Sequence, residues 1–147
     1  MKTVIGLIIT GLVTQAHAFS CFLTLAKDSC WTNYNVNVDV IDPTTNHKLI
    51  TVTVPKGKSW AREPFTCQPG QKLIYYARFS PNFWQGQANV TYAAQRYWTL
   101  PSAVTNQETA WEISVCYPQA FSEVPFPPEA SGNCQCNFKI IPPLKPQ

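Results

Sequence analysis

Charge is scarce in this chain. Only 13% of its 147 residues are Asp, Glu, Lys or Arg, and the formal net charge is +3. The basic residues are spread without blocks, so no nucleic-acid partner and no anionic membrane surface is expected. Histidine is scarcer still: His17 lies in the leader described below, and His47 stands alone. A Ser-His-Asp triad would have to be built on His47, and no G-x-S-x-G elbow supplies its serine. No CxxC pair or Cys/His cluster offers a zinc site. Glycine-rich phosphate loops, H-E-x-x-H and EF-hand patterns are missing as well. No internal repeat or heptad occurs. The sequence thus names no catalytic, metal or cofactor-binding residue, and a non-enzymatic protein without cofactors is expected. Paired carboxylates could still hydrolyse glycosides without histidine. The candidates are Asp39, Asp42, Glu63, Glu108, Glu112, Glu123 and Glu129, but Asp39 and Glu112 fit outward strand positions and Asp42 a turn.

What is present begins with an export signal. Lys2, an apolar stretch over 4–13 and the box Ala16-His17-Ala18 predict a leader over 1–18, cleaved before Phe19. Its apolar run is shorter than the roughly 20 residues that span a bilayer, and no later segment replaces it. The short leader with one basic residue reads as bacterial, placing the chain in the periplasm, the outer envelope or the medium. Residues 18–20 do not form a lipobox before Cys21, so a lipid anchor is not expected. The sequon Asn89-Val90-Thr91 reads as strand rather than as a glycan acceptor. About 130 residues remain, one ordinary domain, expected over 19–141 with a polyproline-like tail over 142–147.

All 13 prolines lie beyond the leader, where they interrupt helices. Period-two alternation is the main structural signal. Tyr34–Val40 sets Tyr and Val against Asn and Asp, and Asp42-Pro43-Thr44-Thr45-Asn46 supplies turn residues. Lys48–Val54 returns with Ile50, Val52 and Val54 inward, so a hairpin is predicted, ended by Pro55. Residues 64–70 read as irregular. Gln71–Phe79 reads as a strand whose apolar middle predicts burial on both faces. Gln87–Leu100 predicts two short strands or one with a bulge. Ala110–Tyr117 alternates with Trp111, Ile113 and Val115 inward. Phe121–Pro128 is extended, and Cys134–Ile141 is a further strand candidate. Only Phe22–Asn33 is left for a short helix. The expected fold is all-β: a disulfide-stapled antiparallel β-sandwich or small barrel of six to seven short strands, with little helix.

Six cysteines in an exported chain point to three structural disulfides. Of fifteen possible pairings, those joining Cys134 to Cys136 are disfavoured, because a C-x-C bridge is strained. Tying both chain ends to the body favours Cys21–Cys134, Cys30–Cys136 and Cys67–Cys116. A thiol oxidoreductase using Cys134 and Cys136 is the competing role, although no helix follows to lower a thiolate pKa.

Aromatic residues make up 13% of the chain. Phe83, Trp84, Tyr97 and Trp98 fall in or near loops, and Phe121 and Phe126 in the extended arm. On a rigid scaffold such rings anchor protein interfaces or stack on sugars; as core caps they would do neither. The mature start FSCFLTLAKDSCW, the AHA box, the C-x-C and the IIPPLKPQ end together resemble small accessory subunits of the Dot/Icm-type (type IVB) secretion-system outer-membrane core complex. That resemblance implies a structural component packed among larger envelope subunits, and it carries no functional residue with it. Protein partners in the cell envelope are therefore expected, with a secreted carbohydrate-binding module as the alternative.

Overall fold

The computed structural model describes residue 11 and residues 19–84, 90–105 and 107–144. The predicted leader falls outside these apart from residue 11. Eight strands form among the described residues: β1 (Phe19–Lys27), β2 (Asn35–Asp42), β3 (His47–Val54), β4 (Trp60–Cys67), β5 (Lys72–Ser80), β6 (Tyr92–Ala93), β7 (Trp98–Thr99) and β8 (Ala110–Tyr117). They build two sheets, ordered β4-β1-β8 and β3-β2-β5-β6, with β7 also on β5. The result is the expected all-β sandwich. One pair departs from an antiparallel scheme: β1 and β8 run parallel, making the smaller sheet mixed.

The predicted hairpin is present. Val36 lies opposite Val54 and Val38 opposite Val52, all fully buried. On the other face the Thr51 and Thr53 hydroxyls donate to Asp39 and Asn37, each at 2.6 Å. Asp42 opens the turn by accepting from the Thr44 amide at 2.8 Å. β8 also alternates as expected, with Trp111, Ile113, Val115 and Tyr117 inward. β5 buries Leu73, Tyr75, Ala77 and Phe79, but its opposite face is half exposed, correcting the expected two-sided burial. Among the described residues no second layer covers that face.

Three further expectations are corrected. Residues 22–33 are not a helix: most of them form β1, and only Ser29–Trp31 makes a 3-10 turn, capped by Asp28. As the middle strand of its sheet, β1 is buried on both sides and shows no alternation. β4 runs straight through Pro64, which a sheet edge tolerates because the missing N–H faces away from the ladder. The stretch 134–141 is no strand but an irregular crossing with a 3-10 turn at Phe138–Ile140. Covalent bonds rather than a ladder hold it.

Those bonds correct the predicted pairing as well. All six cysteines are paired, as Cys21–Cys67, Cys30–Cys134 and Cys116–Cys136. The expected Cys21–Cys134, Cys30–Cys136 and Cys67–Cys116 do not form. β1 lies beside β4 with Phe19 opposite Cys67, so Cys21 meets Cys67 across the ladder with Cα atoms 5.8 Å apart. Cys116 sits on the outward side of β8 and takes Cys136, bringing the C-terminal segment over the smaller sheet. Arg62 fastens the same cover: its guanidinium bonds Thr24 (2.8 Å), Glu112 (3.0 Å) and the Pro142 carbonyl (2.8 Å). Of the predicted tail, Pro142–Leu144 has no regular secondary structure, and residues 145–147 lie outside the described residues.

Between the sheets, Trp31 is the aromatic hub, with ring centroids 4.8 Å from Phe79, 4.9 Å from Tyr117 and 5.2 Å from Tyr34. Beside it the chain buries Lys27, only 2% exposed. Its ammonium donates to the carbonyls of Tyr34 (2.6 Å) and Pro55 (2.9 Å), pinning both loops. Burial lowers its pKa to about 8.

Candidate functional site

A sandwich has two side seams. Here the β3–β4 connection spans one seam, and β8 faces β6 and β7 across the other. The far end of that second seam is stitched shut by the segment after β8. Gln95 N–H donates to Ala120 O (3.0 Å), Ser122 N–H donates to Ala93 O (2.9 Å), and Phe121 bridges Ala94. The rest stays open as a groove of about 600 Å³. Tyr75 and Val115 give it an apolar floor, while Gln95, Arg96, Ser114 and Gln119 bring polar groups, and Trp98 stands at its edge. Tyr75 is buried in this wall, and its hydroxyl finds no hydrogen-bond partner among the described residues. Burial pushes that phenol well above its usual range.

The aromatic residues singled out in the sequence are not gathered on one surface. Trp98 pairs with Leu73 at the start of β5, whereas Phe83 and Trp84 follow the end of β5 at Ser80. The length of β5 keeps the two groups about 20 Å apart, at roughly 3.3 Å per residue. Tyr97 (60% exposed) and Trp98 (36%) belong to the groove side. Phe83 is half-buried and stacks on Phe79, 5.0 Å away, with Trp84 outermost beside it. Phe126 projects into solvent at 74% exposure. Phe121 is corrected: at 3% exposure it belongs to the core, packed on Tyr117. The extended FSEVPFPP stretch is thus anchored by its first residue, while its Phe126 is exposed. The groove residues Tyr75, Gln95, Arg96, Ser114 and Gln119 carry no motif, and only folding brings them together.

A second concavity, about 470 Å³, lies over both disulfides of the C-x-C, with Asp28 and Gln119 in its wall. One Asp28 carboxylate oxygen and the sulfurs of Cys30 and Cys134 lie within 4.8 Å of one another. Burial raises the Asp28 pKa, opposed by the hydrogen bond from the Cys30 amide. Both sulfurs are spent in a disulfide, so this trio offers a metal no thiolate. Cys134 and Cys136 belong to different disulfides, so neither is the other's exchange partner.

Five of the seven acidic candidates have structural partners; Glu63 lies on β4 and Glu123 in the segment after β8. Asp39 pairs with Arg78 (2.7 Å) and Glu112 with Arg62 (3.0 Å). Glu108 accepts from the Trp111 indole (2.7 Å), Glu129 from the Tyr34 hydroxyl (2.9 Å) and Asp42 from Gln71 (2.8 Å). His47 is exposed at the start of β3. Comparison with known protein families, curated proteins and solved structures gives no match for this chain.

Proposed function

We propose that this protein is an exported, non-enzymatic interaction component of the bacterial envelope, an accessory subunit in the manner of a secretion-system outer-membrane complex. Its three disulfides suit an oxidising compartment, and no helix among the described residues is long and apolar enough to cross a membrane. The observation that carries the reading is the open seam: a groove edged by Trp98, with β8 on one wall tied by a disulfide to the C-terminal segment. Binding by a preorganised surface loses little conformational entropy, which favours a scaffold role. Crosslinking in intact envelopes, followed by identification of the attached proteins, tests this reading. Envelope proteins joined through the Trp98 side support it, and a protein recovered alone after gentle extraction refutes it.

The same groove gives a second reading, a carbohydrate-binding module. An indole beside two amides, a guanidinium and a hydroxyl is the mixture that grips a sugar ring, by stacking on its apolar face and hydrogen-bonding its edge. A glycan array separates the two: under this reading Trp98→Ala abolishes binding, and Trp84→Ala leaves it intact.

A further inference from the structure

The four sheet borders of this sandwich are not treated alike. β4 carries Pro64 together with Arg62 and Glu63. β3 opens with His47 and Lys48 and faces a register shift at Val40/Ile41. The border opposite β3 is cut into the two-residue strands β6 and β7. Each is a known device against unwanted strand pairing. β8 has none of them. It presents eight residues in regular extension, AWEISVCY, with Glu112 as its one charge.

Hydrogen-bond direction identifies which of its backbone groups are free. Tyr117 O accepts from Asp28 N–H, which directly follows β1, so Tyr117 points toward β1. Alternate residues of a strand direct their N–H and C=O to opposite sides. Trp111, Ile113 and Val115 therefore bond β1, while Ala110, Glu112, Ser114 and Cys116 face the open seam. In keeping with this, Cys116 O accepts from Ala120 N–H in the stitching segment. The N–H groups of Glu112, Ser114 and Cys116 have no partner among the described residues.

We propose that the β8 border takes up an extended segment of a partner polypeptide, which fills the seam as an added strand and sets an acidic side chain against Arg96. This rests on the interaction-protein reading above and specifies its mode. Glu112, Ser114 and Cys116 supply the ladder. Side chains of the added strand alternate, so every second one enters the groove above Tyr75 and Val115. Arg96 lines the same groove and makes no salt bridge among the described residues, so it favours a carboxylate there. Trp98 walls the seam on one side and Gln119 and Ala120 close its end, which suits a single inserted strand better than the border of a second copy.

The test pans a displayed library of random octapeptides against the disulfide-intact protein, then follows binding of the enriched peptides by amide hydrogen exchange. Enriched peptides are expected to alternate small or apolar residues with one Asp or Glu. On binding, the amides of Glu112, Ser114 and Cys116 slow by about 10-fold or more, and N-methylating every second peptide amide weakens binding by a similar factor. Arg96→Glu turns the preference from acidic to basic peptides, and Ser114→Pro removes a donor facing the seam. Should Ser114→Pro misfold, the methylated peptides and Arg96→Glu still decide.

The proposal is overturned if no peptide is enriched, or if enriched peptides leave those three amides exchanging at the free rate. It is also overturned if the amides are already protected in a dimer, which assigns the border to a second copy. Glycan binding that depends on Trp98 and is not displaced by peptide assigns the groove to sugar instead. Envelope crosslinks without edge protection refute strand addition alone; edge protection without envelope crosslinks refutes only the location.

Discussion

Lys27 makes the stability of this fold depend on pH in an unusual direction. Replacing it with Met removes the ammonium of a residue that is 2% exposed, an ammonium whose only partners among the described residues are two carbonyls. Below pH 8 the amine is protonated both in the fold and in the unfolded chain, and the cost of burying its charge is present in full. Between about 8, its folded value, and 10.5, its ordinary one, the folded protein gives up the proton while the unfolded chain keeps it. The unfolded state then binds more protons, so stability rises with pH. The carbonyl partners favour the charged form and reduce the effect to about 1–2 kcal/mol. Buried tyrosines act oppositely: Tyr34 is raised to about 12, and Tyr75, Tyr92 and Tyr117 are raised as well. Each favours the unfolded chain once the pH passes about 10, the free phenol value. Urea unfolding of the non-reduced protein at pH 7, 8, 9, 10 and 11 should therefore show stability climbing from 8 to a maximum near 10, then falling. Lys27→Met should lack the climb and keep the fall. Parallel curves for the two proteins from pH 8 to 10 would refute the reasoning.

Three other outcomes are expected. Brief treatment with a thiol reductant, followed by alkylation and mass mapping, should open Cys30–Cys134 and Cys116–Cys136 before Cys21–Cys67, whose sulfurs lie in the core at 0% and 1% exposure. Phe121→Ala should cost about 3–5 kcal/mol in denaturant unfolding by emptying a core site, whereas Phe126→Ala, at 74% exposure, should stay within about 0.5 kcal/mol. Arg62→Ala should cost about 1–2 kcal/mol by removing the donor shared by Thr24, Glu112 and the Pro142 carbonyl, and should speed amide exchange around Pro142 more than at the β2–β3 hairpin.

Local signals were legible where one face of a strand meets the core and the other meets water. That is why the β2–β3 hairpin and β8 follow directly from alternation, turn residues included. β1 escaped because both its faces are covered, one by the C-terminal segment, and a strand without a wet face has no period to read. β4 escaped because Pro64 is a breaker everywhere except at a border. Residues 134–141 show the reverse error: Cys136, Phe138 and Ile140 alternate, yet no strand partner stands beside them and two disulfides dictate their course. The disulfide pairing depends on which strands are neighbours, and β1 lying between β4 and β8 is not written in any local pattern. Of the site, Trp98 was visible as a loop aromatic. Arg96, Gln119 and Tyr75 were not, since the groove exists only once β5, β7 and β8 come together.

The position of β1 governs how this molecule is made. One flank of this first strand is completed only by β8, with Ser20 beside Ala110, about 90 residues later. The smaller sheet cannot be completed until β8 is available to pair with β1, so the two strands stay apart until the segments between them have formed. Cys21 and Cys30 come first among the six cysteines along the chain, yet they are not bonded to each other in the fold. Oxidation in chain order would join them wrongly, so a correct product requires that the thiols wait for β8 to pair or are reshuffled once it has.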